Sequence, residues 1–221
     1  MSAAGAAAAP GWTGATGAPT RLVLLRHGQT AMSVDRRYSG SASDPGLTEL
    51  GHAQARAAAR RLAGAGWRFA AVVSSPQRRA RATAGHAAAA LGLEVEVDED
   101  LRETDFGSWE GLTFAEAAAR DPRRHADWLA DPTLAPPGGE AFAEVDARVR
   151  AARGRLAGRG PADLLVVSHV TPIKALLRQG LGVGFELFVN LHLDLASVSV
   201  AEFYADGPTS VTLVNDTGHL G

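Results

Sequence analysis

The sequence predicts a three-layer α/β/α sandwich built around a mostly parallel central sheet. Short apolar segments at 22–25, 69–73 and 164–167 have the length of strands, and longer segments with helical spacing separate them. These segments lack the polar alternation of a half-exposed strand, which is typical of strands covered by helices on both faces. Strands that alternate with helices in this way indicate parallel β-α-β units.

The first half of the chain is predicted to contain three strands and two helices. A long polar loop at 29–46 follows the first strand, and Thr48 is expected to cap the first helix, which ends near 64–66. The second helix follows the turn at 74–76. The third strand, at 93–97, alternates glutamates with apolar residues, which places it near the edge of the sheet.

The second half begins with a loop over 101–111 and then returns to helices. Four residues of one helix, at 140–158, share the spacing of a buried face: Phe142, Val145, Val149 and Leu156. Pro172 suits the first turn of a later helix. The predicted segments, in order, are helices at 113–120, 122–130, 140–158 and 172–181, with a strand at 164–167 before the last of them, and a closing pair of strands at 197–204 and 210–215.

Length and composition predict one domain preceded by a tail. Residues 1–19 are mostly small and uncharged, and we expect them to be a flexible Ala/Gly-rich tail or linker, with the folded domain at 20–221. The formal net charge of -2 gives no overall field for nucleic acid. The chain has no cysteine, which excludes disulfides and cysteine nucleophiles. It also has no apolar segment as long as a membrane span or a signal peptide with a basic start, so we expect a cytoplasmic protein.

Polar residues at three strand ends predict a binding site for an anion. The first strand ends at Arg26-His27, the second leads to an arginine-rich segment at 78–81, and a later strand ends at Ser168-His169. In α/β folds, ligands bind beyond the carboxyl ends of the strands. Arginine pairs with phosphate through two parallel hydrogen bonds, and these strand ends therefore predict a phosphoryl group as the ligand.

The same residue types also support phosphoryl transfer. Histidine is a competent nucleophile near neutral pH, since its ordinary pKa is about 6.5. An alkoxide leaving group needs a proton, and the loop after the third strand offers two carboxyl groups for this role, Glu103 and Asp105.

Four motifs occur in order along the chain. They are Arg26-His27-Gly28, then Ser74-Ser75-Pro76 followed by Arg79-Ala80 and Thr83-Ala84, then Leu101-Arg102-Glu103 followed by Trp109-Glu110-Gly111, and finally Val166-Val167-Ser168-His169. In this order they resemble the histidine phosphatase superfamily, which has a phosphoglycerate mutase-like fold. They cover residues 21 to about 182. Any one of these motifs is weak evidence, but the four together are highly specific.

The resemblance implies a role for each matching residue. His27 would be the nucleophile and would pass through a phosphohistidine, while Arg26, Arg79 and His169 would hold the phosphoryl oxygens. Glu103 would be the general acid and then the general base. The family uses no metal, and no other cofactor is implied.

The resemblance also implies substrate contacts, with two departures from the common pattern. Gln29 and Thr30 follow the first motif, and Ser39 belongs to a segment that faces substrate in relatives. Ser33 stands where many relatives have asparagine, and Val170 stands where most have glycine. These five residues are the predicted substrate-binding set.

Within the superfamily the chain is similar to the phosphatase half of actinobacterial bifunctional ribonuclease H/acid phosphatase proteins and to α-ribazole phosphatase. The segments that point to these relatives are 168–174, 191–197 and 201–207. Residues 1–19 would then correspond to an interdomain linker. The ribonuclease half is absent from this sequence, so no nuclease activity is expected of it.

The predicted function is a metal-independent phosphomonoesterase, an acid phosphatase, acting on a small phosphorylated metabolite such as α-ribazole 5′-phosphate. One alternative is a cofactor-dependent phosphoglycerate mutase, which the compact spacing from Glu103 to His169 disfavours. The other is a phosphate-binding module without turnover, which Ser33 and Val170 keep open. We expect no membrane partner and no nucleic acid bound by this chain alone, and either a monomer or a homodimer.

Other polar residues have simpler interpretations. Arg78 and Arg81 are expected to be solvated or at the rim of the site, and His192 to have a core or hydrogen-bonding role. Residues 137–140 fit either a helix entry or a loop near substrate. The remaining histidines are expected to be structural or exposed: His52, His86, His125 and His219.

Overall fold

The computed structural model describes residues 14–221. Most of the predicted tail, residues 1–13, lies outside the described residues. Just before the first strand, Ala15 is buried, and the backbone N–H and hydroxyl of Thr16 both donate to Asp206. No helix within 14–221 is both long and apolar enough to cross a membrane.

The centre of the molecule is a six-stranded sheet in the order β3-β2-β4-β1-β5-β6. The pairs β1–β4, β2–β4 and β2–β3 are parallel, while β5 is antiparallel to both of its neighbours. The predicted third strand lies at the edge of the sheet, as expected. The strands are β1 (Thr20–Arg26), β2 (Phe69–Ser74), β3 (Val95–Val97), β4 (Ala162–Ser168), β5 (Val198–Phe203) and β6 (Thr209–Asp216).

Eight α-helices surround this sheet in the described part of the chain. Six of them agree with the sequence prediction to within a few residues, and the other two, α1 and α8, were not predicted. They are α1 (Ala31–Val34), α2 (Glu49–Gly64), α3 (Arg78–Leu91), α4 (Phe114–Arg120), α5 (Pro122–Ala130), α6 (Phe142–Ala157), α7 (Val170–Leu181) and α8 (Leu187–Asn190). The two unpredicted helices have four residues each, which is too short for a repeating apolar pattern.

Local sequence signals account for the limits of the long helices. Thr48 caps α2 through its hydroxyl, which accepts from the Gly51 N–H at 3.0 Å. Gly92 and Gly182 end α3 and α7 in the left-handed conformation, at φ 69° and 66°. These two glycines fix where the chain turns back towards the sheet.

The central strands are buried on both faces, as predicted. Side chains alternate between two cores, so Leu22 and Leu24 of β1 face one helical layer while Val23 and Leu25 face the other. Alanines of α2 and α3 form one of these layers, and α6 and α7 form the other together with an aromatic cluster. The result is the predicted three-layer sandwich.

Two glycines bring the start of α2 against the loop that follows β1. A Cβ on Gly28 would lie 2.4 Å from the Gly51 carbonyl oxygen, and a Cβ on Gly51 would lie 2.1 Å from the Gln29 carbonyl oxygen. Because both obstacles are backbone atoms, a larger residue at either position forces the two segments apart. This contact fixes the backbone directly after His27.

Gly28→Ala is therefore expected to lower the free energy of unfolding by about 1–3 kcal/mol, because the added methyl group has no space. The matched control is Gly85→Ala in the exposed interior of α3, where nothing lies within 4 Å of the added Cβ. That change is expected to raise the free energy of unfolding by about 0.5–1 kcal/mol. Urea denaturation of both variants is the measurement, and equal stability of Gly28→Ala and the unsubstituted protein would contradict the close contact.

Candidate active site

Three neighbouring strands bring the predicted site residues to one edge of the sheet. In the parallel register Arg26 lies opposite Ser168, and Ser74 lies opposite Val167. The residues that follow these strands therefore meet, and the rings of His27 and His169 lie 5.1 Å apart at an angle of 58°. We call this edge, formed by the carboxyl ends of β1, β2 and β4, the carboxyl edge.

His27 is buried, and a hydrogen bond to the backbone fixes the tautomer of its ring. Its Nδ1 lies 2.8 Å from the Gly28 carbonyl oxygen. Since a carbonyl oxygen only accepts, Nδ1 must hold the ring proton in the neutral imidazole, and Nε2 keeps its lone pair. This is the tautomer that a nucleophilic histidine needs.

His169 is held through its Nε2 atom, whereas His27 is held through Nδ1. Its Nε2 lies 2.7 Å from Ser75 Oγ, and that oxygen accepts from the Gln77 N–H at 3.4 Å. The Ser75 hydroxyl proton is then available to Nε2, which favours a proton on Nδ1. The Nδ1 of His169 is buried and has no partner within residues 14–221.

Burial and neighbouring cations keep both imidazoles neutral. Burial, followed by the charges of Arg79 and Arg26, holds the pKa of His27 well below its ordinary value. Burial likewise lowers the pKa of His169, with further contributions from Arg79, His27 and two more arginines. At neutral pH both rings are therefore uncharged.

Arg79 is the buried arginine of the motif, with 1% of its surface exposed. Its Nη1 donates to the Ser43 carbonyl at 2.8 Å, and its Nη2 donates to the carbonyls of Ser39 at 2.9 Å and Gly40 at 3.3 Å. Its Nε is buried without a partner in the described chain. The flanking arginines of α3, residues 78 and 81, are exposed.

The loop that holds Arg79, residues 39–43, is itself held by side chains that sequence reasoning missed. The Glu110 carboxylate accepts from the Gly40 N–H at 2.8 Å and the Ala42 N–H at 3.2 Å. Gln77 Nε2 donates to the Gly40 carbonyl at 2.7 Å. Gly40 is required there, because a Cβ would lie 2.2 Å from the Thr104 carbonyl oxygen. Glu110 stood within the third motif, which was the one signal available for it.

Arg26 adds a second guanidinium at the carboxyl edge. Its Nη1 donates to the Leu193 carbonyl, and its Nε is buried without a partner among residues 14–221. Burial lowers its pKa to about 10, against an opposing effect of Glu103 and Asp194, and the group stays charged at neutral pH. Unpaired buried donors therefore remain on Arg26, Arg79 and His169, and such donors are costly unless a ligand accepts from them.

Glu103 is buried at the same edge. Its Oε1 accepts from the Thr104 N–H at 2.9 Å and from the Thr171 N–H at 3.3 Å, in the first turn of α7. Its own N–H donates to Gln77 Oε1 at 2.8 Å. Arg148, which sequence reasoning also missed, donates to the carbonyls of residues 100, 102 and 103 while pairing with Glu140. Through Arg148, Glu140 thus helps to hold the loop that carries Glu103.

A cavity of about 1360 Å³ opens above the carboxyl edge. Arg79 and His169 are both fully buried and are not among the residues that line this cavity. The predicted residues that line it are Arg26, His27, Thr30, Ser33, Ser39, Glu103 and Val170. One wall is aromatic and includes Tyr38, Phe106, Phe114, Trp128, Phe142 and Phe188.

Gln29 is placed differently from the other predicted substrate residues. Its Oε1 accepts from the Thr48 hydroxyl at 2.9 Å, and it is not among the residues that line the cavity. Gln54 of α2 lines the cavity instead, and its Oε1 accepts from the Gln29 N–H at 2.9 Å. The capping of α2 thus takes the Gln29 side chain away from the site.

Asp105 and the other histidines of the described chain form hydrogen bonds outside the group of His27, His169, Arg26, Arg79 and Glu103. Asp105 accepts from the Gly107 N–H at 2.8 Å, while His125 lies 2.9 Å from the Tyr38 hydroxyl. His192 pairs with Asp194 at 3.0 Å on an exposed part of the cavity rim. His52 and His86 contact each other, and His219 contacts the Ala196 carbonyl. Residues 14–221 contain no group of three or more metal-ligating side chains, and independence from metals stays a prediction.

Known proteins match both the sequence and the fold. The model of the histidine phosphatase superfamily (branch 1) matches residues 22–217. A bifunctional protein of Mycobacterium tuberculosis, Rv2228c, is 62% identical over 212 residues, which cover 96% of this chain and 58% of that protein. This chain therefore spans less than two thirds of the length of that relative.

Solved structures give the same result. The mycobacterial glucosyl-3-phosphoglycerate phosphatase has a TM-score of 0.82 and 33% identity, covering 90% of this chain and all of that one. The α-ribazole phosphatase of Shigella flexneri has a TM-score of 0.77 and 27% identity, covering 89% and 96% of the two chains. The predicted phosphoglycerate mutase-like fold is confirmed.

The chain belongs to the histidine phosphatase superfamily. Its relatives include enzymes named as phosphatases.

The two buried imidazoles should stay neutral at pH values where an ordinary histidine, with a pKa of about 6.5, is mostly protonated. Their folded pKa values are lowered, so the unfolded chain binds protons that the folded chain does not. The free energy of unfolding should thus fall as the pH drops below about 6.5. NMR titration of the imidazoles, with the urea-unfolded chain as control, measures this. Protonation of His27 or His169 at or above pH 6.5 in the free protein would contradict it.

Proposed function

We propose that the protein is a metal-independent phosphomonoesterase that acts through a phosphohistidine at His27. The observation that supports this most directly is the bond from His27 Nδ1 to the Gly28 carbonyl, which leaves the Nε2 lone pair beside buried, unpaired donors. A phosphoryl group supplies the acceptors that these donors lack. Catalysis of phosphoryl transfer consists mostly of positioning and charge stabilisation, and this edge offers both.

In the first step, the Nε2 lone pair of His27 attacks phosphorus and the bond from phosphorus to the ester oxygen breaks. The leaving oxygen takes a proton from the Glu103 carboxyl group, and the alcohol departs. Arg26, Arg79 and the Nδ1–H of His169 donate to the phosphoryl oxygens. Because these donors are already fixed by the fold, little reorganisation accompanies the reaction.

In the second step, the Glu103 carboxylate accepts a proton from water as the water oxygen attacks phosphorus. The bond from phosphorus to Nε2 breaks, and inorganic phosphate and neutral His27 are restored. The lowered pKa of His27 favours the release of a neutral ring, because the free imidazole does not take up a second proton. Each cycle thus consumes one ester and one water.

The substrate proposed is a small phosphorylated metabolite whose alcohol enters the aromatic-walled cavity. The cavity, at about 1360 Å³, is larger than a typical ligand pocket of about 300–1,000 Å³ and has room for an alcohol of several rings. Phe114 is 56% exposed on that wall, and Tyr38 packs edge-on against it. Aromatic rings of this kind stack on planar ring systems, so α-ribazole 5′-phosphate is one candidate. No nucleic acid or membrane enters this proposal.

His27→Asn should abolish turnover of p-nitrophenyl phosphate in the presence of EDTA, with a loss of about 10⁴-fold or more, because no nucleophile remains. The matched control is His52→Asn, since His52 contacts His86 on the outer helical layer and should leave activity unchanged. Equal activity of His27→Asn and the unsubstituted protein would refute the mechanism. Binding of phosphate without turnover would instead indicate a binding module, and bisphosphoglycerate-dependent isomerisation of 3-phosphoglycerate would indicate a mutase.

Glu103→Gln should lower kcat for an alkyl phosphate by about 10²–10⁴-fold, because the alkoxide loses its proton donor. The loss in the first step should be smaller for p-nitrophenyl phosphate, whose leaving group needs no proton. Asp105→Asn is the control, since Asp105 accepts from the Gly107 N–H and an amide oxygen can replace it there. Rapid-quench measurement of both steps tests the assignment, and an equal loss in the two variants would contradict it.

A further inference from the structure

Lys174 is the one lysine of the chain, and it lies in the cavity of the active site. Every other basic residue among the 22 lysines and arginines is an arginine. Lys174 is 9% exposed and lines the same cavity as His27 and Glu103. The proposed reaction gives it no role, although it is one of the most buried cations at the site.

The ammonium group of Lys174 has a neutral partner. Nζ donates to the Phe188 carbonyl of α8 at 2.7 Å, which uses one of its three N–H donors. Among the ion pairs of residues 14–221 none involves Lys174, and the charges that shift its pKa are those of Glu103, which raises it, and Arg26, which lowers it. Burial lowers its pKa to about 8, so the group is mostly charged at pH 7. A buried charge without a counterion is costly, and an anionic ligand would remove that cost.

The position of Lys174 on α7 defines which part of a substrate it meets. Val170, at the start of α7, lines the cavity, and Thr171 donates to the Glu103 carboxylate. Lys174 lies four residues after Val170, on the same face and about 6 Å further along the helix. Helical side chains lean towards the N-terminus, which directs the ammonium back towards the reacting groups. With a phosphoryl group at His27, Lys174 would therefore face the alcohol part of the ester in this cavity.

We infer that Lys174 forms an anion-binding subsite for a carboxylate on the alcohol part of the substrate, a few bonds from the ester oxygen. This inference rests on the proposed phosphatase function and narrows its substrate class. We therefore expect phosphate esters of hydroxy acids to be better substrates than esters of uncharged alcohols. α-Ribazole 5′-phosphate belongs to the second group. The carboxylate accepts from the N–H donors of Lys174 that Phe188 does not use, while the aromatic wall contacts the rest of the alcohol.

A matched pair of substrates tests the subsite. 3-Phosphoglycerate and glycerol 3-phosphate share a three-carbon backbone and differ in a carboxylate against a hydroxymethyl group. The unsubstituted protein should hydrolyse 3-phosphoglycerate with the higher kcat/KM, and Lys174→Met should lower the ratio of the two values about ten-fold or more, mainly through KM. Lys174→Arg, which keeps the charge, should retain a preference for the acid.

Two comparisons separate an anion-binding role of Lys174 from a purely structural one. Arg123→Met removes a cation that is 97% exposed on α5, and it should leave the ratio unchanged. An equal fall for both substrates in Lys174→Met would show that Lys174 only anchors α8, and would overturn the inference. Absence of a preference in the unsubstituted protein would overturn it as well, even where Lys174→Met fails to fold. If p-nitrophenyl phosphate is hydrolysed through His27 in those cases, the proposed function stands; if it is not hydrolysed at all, the proposed function fails.

Discussion

The rest of the site depends on how the fold buries the guanidinium of Arg79. A fully buried cation usually requires a carboxylate, but here three backbone carbonyls of the 39–43 loop hold it. The carbonyl oxygens accept from Nη1 and Nη2 without cancelling the charge of the guanidinium, and Nε has no partner in the described chain. The positive charge therefore remains available to an anion. The loop must therefore hold its carbonyl groups in place. Glu110 and Gln77 bind its backbone at Gly40, and only a glycine fits at that position.

The same charge adds to the effect of burial on the two histidines. Burial lowers the pKa of both rings most, and the charges of Arg79 and Arg26 lower it further. A nucleophile must be neutral before it attacks, whereas a phosphoryl group must meet positive charge. The carboxyl edge combines the two by placing cations beside imidazoles that burial and these cations together keep neutral.

Much of this arrangement was predictable from the sequence, because the relevant signals are local. An apolar strand that ends in Arg26-His27 must bring both side chains to a sheet edge, and the Thr48 cap fixes the next helix. The side chains that hold the site were not predictable, since their partners lie far along the chain. Glu110 is 70 residues from Gly40, and Arg148 is 45 residues from the Glu103 carbonyl that it binds. The position of Gln29 was not predictable for the same reason. It stands two residues after His27 in the sequence, but its side chain accepts a hydrogen bond from Thr48, which is 19 residues further along the chain.

The two departures from the family pattern have different consequences. Ser33 accepts from the Thr30 N–H at 2.9 Å and donates to the Thr30 carbonyl at 2.7 Å, so its one O–H donor is used in the cap of α1. Ser33 therefore shapes the first turn after His27, and its hydroxyl has no donor left for a ligand. Val170 departs only in its side chain, because the N–H at the start of α7 is present with any residue there except proline. The isopropyl group of Val170 lines the cavity, on the same face of α7 as Lys174. In the proposed reaction, the bulk of Val170 would therefore affect which alcohol fits and would leave the donors of Arg26, Arg79 and His169 unchanged.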